Sequence, residues 1–118
     1  MAREATIVQT VRRVFKWGRS GLIKVALVFT PSGEPVKLVK THVEAKPDII
    51  EGYWEWRLGT GSYAIIRLYR RSLRRYFKVS VKCINIDNNG GRIIAVRRFT
   101  VKGFNYEALV EWARGICP

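Results

Sequence analysis

One short segment concentrates cationic and aromatic side chains. The stretch from Arg67 to Lys78, RLYRRSLRRYFK, contains six cations and three aromatic residues in twelve positions, and no acid interrupts it. Cations this close together repel one another, so they do not stabilise the folded chain by themselves. They can neutralise phosphates, and exposed tyrosine rings can stack on bases, each ring contributing roughly 1–3 kcal/mol. The segment predicts contact with a polyanion; a solvated sheet surface is the alternative interpretation.

Further cations extend this charge into the following sequence. If the faces of the neighbouring strands align, lysines and arginines up to position 102 join the same surface. Arginine both stacks on bases and forks onto phosphates, so its abundance favours RNA or single-stranded DNA. The predicted nucleic-acid-binding residues are Arg67, Tyr69, Arg70, Arg71, Arg74, Arg75, Tyr76, Lys78, Lys82, Arg92, Arg98 and Lys102.

A second group of residues has a pattern used in metal-dependent catalysis. Four of the nine acids lie within positions 44–55. The triplet from Glu44 to Lys46 has the E-x-K form of metal-dependent nucleases, in which carboxylates hold Mg²⁺ and a lysine positions the attacking water. The Pro-Asp element at Asp48 follows this triplet, whereas the nuclease order places it before. A small nuclease using Glu44, Lys46 and Asp48 is therefore the alternative prediction, and pairing of these acids with the excess cations is the structural explanation.

The remaining reactive side chains do not form a recognisable catalytic or metal motif. His42 is the only histidine and has no partner at useful spacing for a nucleophilic triad. Cys83 and Cys117 belong to no CxxC pair, so zinc is not indicated. We expect a buried thiol at Cys83 and a free thiol at Cys117, although a disulfide between them is possible. No metal and no cofactor are predicted, and the chain is predicted to be non-enzymatic.

The composition indicates one soluble domain covering residues 1–118. The chain is 47% hydrophobic and carries 22 Lys and Arg against 9 Asp and Glu, a net charge of +13. That excess favours polyanionic partners, with nucleic acid ahead of an anionic membrane. No apolar run reaches transmembrane length and no signal peptide is evident, so an intracellular location is expected. The single Gln and single Met, with abundant Arg, suggest a thermophilic archaeal or viral source.

Hydrophobic periodicity predicts an α+β domain. The segment 5–16 fits an N-terminal helix, which as a basic amphipathic helix could instead lie on a membrane. Strands are predicted at 21–30, 35–43, 49–58, 63–71, 76–86 and 92–102, and a helix follows Asn105. The expected architecture is an antiparallel β-meander of about six strands, with the C-terminal helix and a possible N-terminal helix on one face. The other face should be the basic one.

Alternation along the strands predicts which side chains face the helices. In 76–86 the apolar face contains Phe77, Val79, Val81 and Cys83; in 92–102 the inward residues are Ile93, Ala95, Phe99 and Val101, with Arg97 as an exception. Arg92, Arg98 and Lys102 should share the outer face. Trp54 and Trp56 lie in the core or on an exposed platform, depending on the register of the hairpin at 59–62.

The predicted order of strands followed by a helix, together with a basic aromatic sheet face, resembles in outline the Whirly and Pur-type single-strand binders. No motif of those families is present. The sequence predicts a non-enzymatic protein that binds single-stranded DNA or RNA with little sequence specificity. A structural or assembly protein of a ribonucleoprotein or virion is the third possibility. No membrane partner is expected, and an exposed edge strand could pair two copies into a homodimer.

Overall fold

A computed structural model describes residues 22–43, 58–71 and 75–118, and for residues 22–24, 37–43 and 71 it describes the backbone alone. These residues form five strands and one helix, so the predicted α+β class is confirmed. The elements are β1 (Leu22–Phe29), β2 (Pro35–Val43), β3 (Gly61–Arg71), β4 (Phe77–Asp87), β5 (Gly90–Val101) and α1 (Tyr106–Ile116). No helix in this part of the chain is long and apolar enough to span a membrane.

The five strands match predicted strands to within two residues at each end. The predicted N-terminal helix at 5–16 lies outside the described residues. The sixth predicted strand, 49–58, also falls outside them apart from Leu58, which is not in a strand. The placement of Trp54 and Trp56 in the core or on a platform therefore stays a prediction.

The described strands form one antiparallel sheet in the order β2-β1-β3-β4-β5. β3, β4 and β5 follow one another as a meander, but β3 pairs with β1 and not with β2. The prediction of a simple meander is therefore wrong for the first part of the chain. The physical reason is the composition of β1, whose residues from Val25 to Phe29 are all buried. A strand that is apolar on both faces is stabilised by a position inside the sheet.

The main core lies between the sheet and α1. Alternate residues of β1, β3 and β4 face the helix and are buried against it. The predicted apolar face of β4 is confirmed, as are the inward positions of Ala95, Phe99 and Val101 on β5. The buried members of this core are Val25, Leu27, Phe29, Ala64, Ile66, Leu68, Val79, Val81, Cys83, Leu109, Ala113 and Ile116.

The sheet face opposite α1, here called the far face, also contains a core. Ala26, Val28, Ile65, Ile84 and Ile86 are buried there, with Tyr63 and Leu58 packed against them. The expectation of a basic surface across the whole far face is therefore wrong at its centre. The apolar residues of β1 and β3 alternate on both sides of the sheet, so both sides exclude water in the middle.

α1 begins where the sequence predicts. The Asn105 side chain caps the helix, because its Oδ1 accepts a hydrogen bond from the backbone N–H of Ala108 at 2.8 Å. Glu107 in the first turn and Arg114 in the last complement the helix dipole. Trp112 packs edge-on against Phe99 with ring centroids 5.1 Å apart. The helix is thereby positioned over β3, β4 and the inner side of β5.

The two cysteines form a disulfide, so the expectation of two free thiols is wrong. Cys83 of β4 is bonded to Cys117, and their Cα atoms are 5.1 Å apart. The cause is tertiary. α1 runs back across the sheet, so the residue that follows the helix lies beside the middle of β4. Sequence separation, 34 residues, gives no hint of this proximity.

Two turns depend on glycine. Between β4 and β5 the turn has two residues, Asn88 and Asn89, and the Asp87 carboxylate accepts a hydrogen bond from Asn89 N–H at 2.8 Å. Gly90 follows with φ of 115°. Between β1 and β2, Gly33 has φ of 94° and is buried under α1. A Cβ atom at Gly33 would lie 2.8 Å from Val110 Cγ1, so this turn and the helix pack in close contact.

Candidate nucleic-acid interface

Pairing between β3, β4 and β5 groups the predicted binding residues into three rungs on the far face. Residues directly opposite one another on antiparallel strands share a face, so the register defines the surface. The first rung lies where β3 ends and β4 begins, and the others follow toward the opposite end of the sheet. In that order the rungs are Tyr69, Lys78 and Thr100; then Arg67, Ser80 and Arg98; then Ile65, Lys82 and Val96.

The inner side of these rungs is closed to solvent. Arg67 is only 6% exposed and Ser80 only 4% exposed. The guanidinium of Arg67 is therefore a buried group of the fold and not a surface contact, in contrast to its predicted role. Lys82 is half-buried, whereas Lys78 and Arg98 are exposed. Among the side chains described on these three rungs, the exposed charges are therefore those of Lys78 and Arg98.

The exposed residues collect where β3 ends, β4 begins and β5 ends. Phe77 pairs with Val101 and Lys78 with Thr100, which brings the residues flanking these pairs to one edge. We call this group the basic end: Arg75, Tyr76, Lys78, Arg98 and Lys102, all of them exposed. Tyr76 is 52% exposed and is the largest exposed aromatic side chain in the described residues. Half-buried Tyr69 lies beside Lys78 on the first rung.

Arg70 lies on the opposite face from Tyr69. Its guanidinium carbon is 4.8 Å from the centroid of the Phe77 ring, a cation–π arrangement. Phe77 in turn packs edge-on against Phe104, next to the core under α1. Strand alternation alone separates Arg70 from Tyr69, so the sequence contained the signal for this placement. Of the other predicted arginines, Arg71 is described by its backbone alone and Arg74 lies outside the described residues.

A β-bulge separates Arg92 from the basic end. Cys83 pairs with Ala95 but Ile84 pairs with Ile93, so Ile94 is an extra residue in β5. The bulge reverses the faces of the residues before it. Ile93, predicted to point inward, is 48% exposed. Arg92 pairs with Asn85 near the β4–β5 turn, roughly 20 Å along the strand from Arg98, and the two do not share a face as predicted.

The electrostatic environment of the basic end is strongly one-sided. From Gly61 to Tyr106 the sequence contains one acid, Asp87. Asp87 lies in the turn at the far end of β4 and already accepts a hydrogen bond from the backbone of that turn. Among the described residues, the strands that supply the basic end therefore provide no carboxylate near it.

The alternative catalytic residues cannot be placed. Glu44, Lys46 and Asp48 lie outside the described residues, and His42 is described by its backbone alone. Within the described residues no group of three or more His, Cys, Asp or Glu side chains is arranged to hold a metal ion.

Comparison with known proteins adds no functional assignment. No protein-family model matches the chain, and neither a curated protein nor a solved structure matches it at a significant level. The outline resemblance to Whirly and Pur-type proteins therefore gains no support from a match.

Proposed function

We propose that the protein binds single-stranded DNA or RNA, without catalysing a reaction, through the basic end. The observation that carries this proposal is the composition of that surface. Four exposed cations and one exposed tyrosine lie at one end of strands whose single acid lies at the other end of the sheet. A patch of one sign on a chain of net charge +13 attracts phosphate and repels other cationic surfaces.

The exposed ring of Tyr76 is the reason to favour single strands over duplex. A base can stack on an aromatic side chain only if that face of the base is free, as it is in a single strand or a loop. Tyr76 immediately precedes β4, between exposed Arg75 and the strand that supplies Lys78. A base on the ring would therefore bring its flanking phosphates within reach of these two cations.

The same arrangement predicts little sequence specificity. Lysine and arginine on phosphates do not distinguish bases, and stacking on tyrosine is tolerant because every base has a π face. If the four cations of the basic end each neutralise one phosphate, log K for a single strand should fall with log salt concentration with a slope of about −3.

Fluorescence anisotropy with labelled oligonucleotides tests the proposal. A single-stranded DNA, the duplex of the same sequence and the corresponding RNA are titrated at several salt concentrations, with Mg²⁺ present in a parallel series. We expect tighter binding of the single strands, a salt slope near the value above and intact oligonucleotide on a denaturing gel. Equal affinity for the duplex would contradict the stacking role of Tyr76, and cleavage would favour the nuclease.

A combined variant connects the measurement to the surface. Replacing Arg75, Lys78, Arg98 and Lys102 by alanine should remove most binding at low salt, because these exposed side chains supply the proposed phosphate contacts. Replacing Tyr76 by alanine should weaken single-strand binding by roughly 1–3 kcal/mol and leave the salt slope unchanged. If binding persists in the combined variant, the basic end is not the interface.

A further inference from the structure

β5 is the outer strand of the described sheet, next to β4. Its residues from Gly90 to Ile94 and from Val96 to Arg98 are all exposed. A strand at the edge of a sheet presents backbone N–H and C=O groups that can pair with another strand. Ile93, Ile94 and Val96 add exposed apolar surface to this edge. Such a strand has both the hydrogen-bonding groups and the side chains needed to receive an extended segment.

A groove runs between β5 and α1 on the helix side of the sheet. Its volume is about 330 Å³. Val81 and Phe99 line the sheet side, and Trp112 and Ile116 line the helix side. Volumes of this order hold small ligands or a large side chain. The groove therefore has room for one large side chain directly beside an edge strand.

Two opposite charges lie at this groove, Arg97 on β5 and Glu111 on α1. Arg97 was predicted to be an exception among inward residues, and it is exposed with its guanidinium carbon 5.4 Å from the Phe99 ring centroid. Glu111 is also exposed. Neither side chain belongs to the basic end, so the groove is a separate surface from the proposed nucleic-acid interface.

The charge of β5 determines which kind of strand can join it. Arg92, Arg97 and Arg98 are exposed on β5, and the strand contains no acid. A second copy of β5 would bring arginines of both copies together along one edge, and like charges across strands destabilise pairing. Nucleic acid could meet the arginines but cannot continue a backbone ladder. An extended peptide with carboxylates and apolar residues satisfies both the edge and the groove.

We propose that the protein binds an extended acidic and apolar segment of a partner protein as an added strand along β5. One large apolar side chain of that segment occupies the groove between β5 and α1, and its carboxylates pair with Arg97 and Arg92. An edge strand beside a helix, with main-chain hydrogen bonds for affinity and a pocket for side-chain choice, is a known mode of peptide recognition. This binding is independent of the proposed nucleic-acid function.

Gly115 provides a specific test, because it lines the groove and a Cβ added there has no neighbour within 4 Å. The Gly115→Leu variant should fill the groove while the fold is kept, and leucine in place of glycine within a helix should raise Tm. Gly103→Leu is the matched control, since Gly103 is exposed, lies outside the groove and also has no neighbour within 4 Å of an added Cβ.

The probe is a fluorescein-labelled seven-residue peptide, Val-Glu-Val-Phe-Val-Glu-Val, in which the central Phe and both Glu side chains lie on the same face of the strand. We expect measurable binding to the unmodified protein and to Gly103→Leu, with affinity lower by roughly 10–100-fold in Gly115→Leu. Arg97→Glu should also weaken binding, because it replaces an attractive partner of the peptide carboxylates by a repulsive one. Unchanged affinity in Gly115→Leu would overturn the assignment of the groove.

A second peptide separates strand addition from charge attraction. It has the same side chains but is N-methylated at alternate backbone positions, and two such peptides cover both possible pairing edges. At least one N-methylated peptide should lose binding, because methylation removes the donors needed for the ladder. If both bind as well as the parent, the contact is electrostatic only and the proposal fails. A protein that sediments as a dimer through β5 and excludes the peptide would likewise contradict it, in favour of a second copy.

Discussion

Cys117 is disulfide-bonded to Cys83, and this bond fixes the C-terminal end of α1 to the centre of β4. Cys83 is buried in the core that α1 covers, so the bond and the helix packing stabilise the same interface. Disulfides persist in oxidising compartments and in the cytosol of hyperthermophiles. The stability of the main core should therefore depend on whether the surroundings of the protein keep this bond oxidised.

Loss of the disulfide should lower the free energy of unfolding substantially. With a sequence separation of 34 residues, the chain-entropy model gives about 3–4 kcal/mol. Urea denaturation of the protein with and without reductant measures this difference. Cys117→Ala should match the reduced protein and show no response to reductant. Equal stability of the oxidised and reduced protein would contradict the prediction.

Gly33→Ala should destabilise the protein more than Gly90→Ala does. Both glycines have positive φ, 94° and 115°, so each alanine carries a backbone penalty of about 1–2 kcal/mol. At Gly33 the added Cβ would also lie 2.8 Å from Val110, whereas at Gly90 nothing lies within 4 Å. Thermal unfolding of the two variants compares them. Equal shifts in Tm would mean that the contact between this turn and α1 is easily relieved.

Ser80→Ala should raise stability. Ser80 is buried, and its Oγ has no hydrogen-bond partner among the described residues. An unsatisfied buried hydroxyl costs about 1–3 kcal/mol, which alanine removes at the expense of a very small cavity. Chemical denaturation of the variant and the unmodified protein gives the sign of the change in the free energy of unfolding. Ser62→Ala is the control, because Ser62 is an exposed serine on β3. If Ser80→Ala lowers the free energy of unfolding by as much as Ser62→Ala or more, the Ser80 hydroxyl is hydrogen-bonded in solution and the prediction is wrong.

Arg98→Ala and Arg92→Ala should differ in their effect on oligonucleotide binding, although both are exposed arginines of the same strand. Arg98 belongs to the basic end, so its loss should reduce the magnitude of the salt slope by about 0.7 for a single strand. Arg92 lies beyond the bulge at the other end of β5, and its loss should leave the slope unchanged. Salt titrations of oligonucleotide binding by the two variants measure both slopes. Equal reductions would mean that bound nucleic acid extends along the whole strand.

Most of the secondary structure could be predicted because the relevant signals are local. Alternation of apolar residues predicted β4, and the Asp-Asn-Asn-Gly sequence predicted its turn, which is a two-residue loop in the structure. Asn105 predicted the helix start through a contact only three residues long. The pairing of β3 with β1 was not predictable in the same way, because it joins segments about forty residues apart.

The candidate site was predicted less completely than the fold. Residue types predicted cations close in sequence to a tyrosine, and Arg75, Tyr76 and Lys78 are exposed in the structure. The sequence did not show that Arg67 is buried or that the bulge at Ile94 turns Arg92 away. The burial of Arg67 depends on which segments cover its strand, and the bulge depends on how β4 and β5 align. Both involve residues that are distant in sequence, so local patterns do not reveal them.

The sequence by itself determined the charge excess, the class of the domain, the five described strands and the helix cap. Each of these depends on composition or on neighbours within a few residues. Only the tertiary structure decided that Cys83 and Cys117 are bonded, that the far face has its own buried core and that β5 borders a groove with α1. These features require distant segments to be brought together, and packing of the whole chain, not local propensity, determines which segments meet.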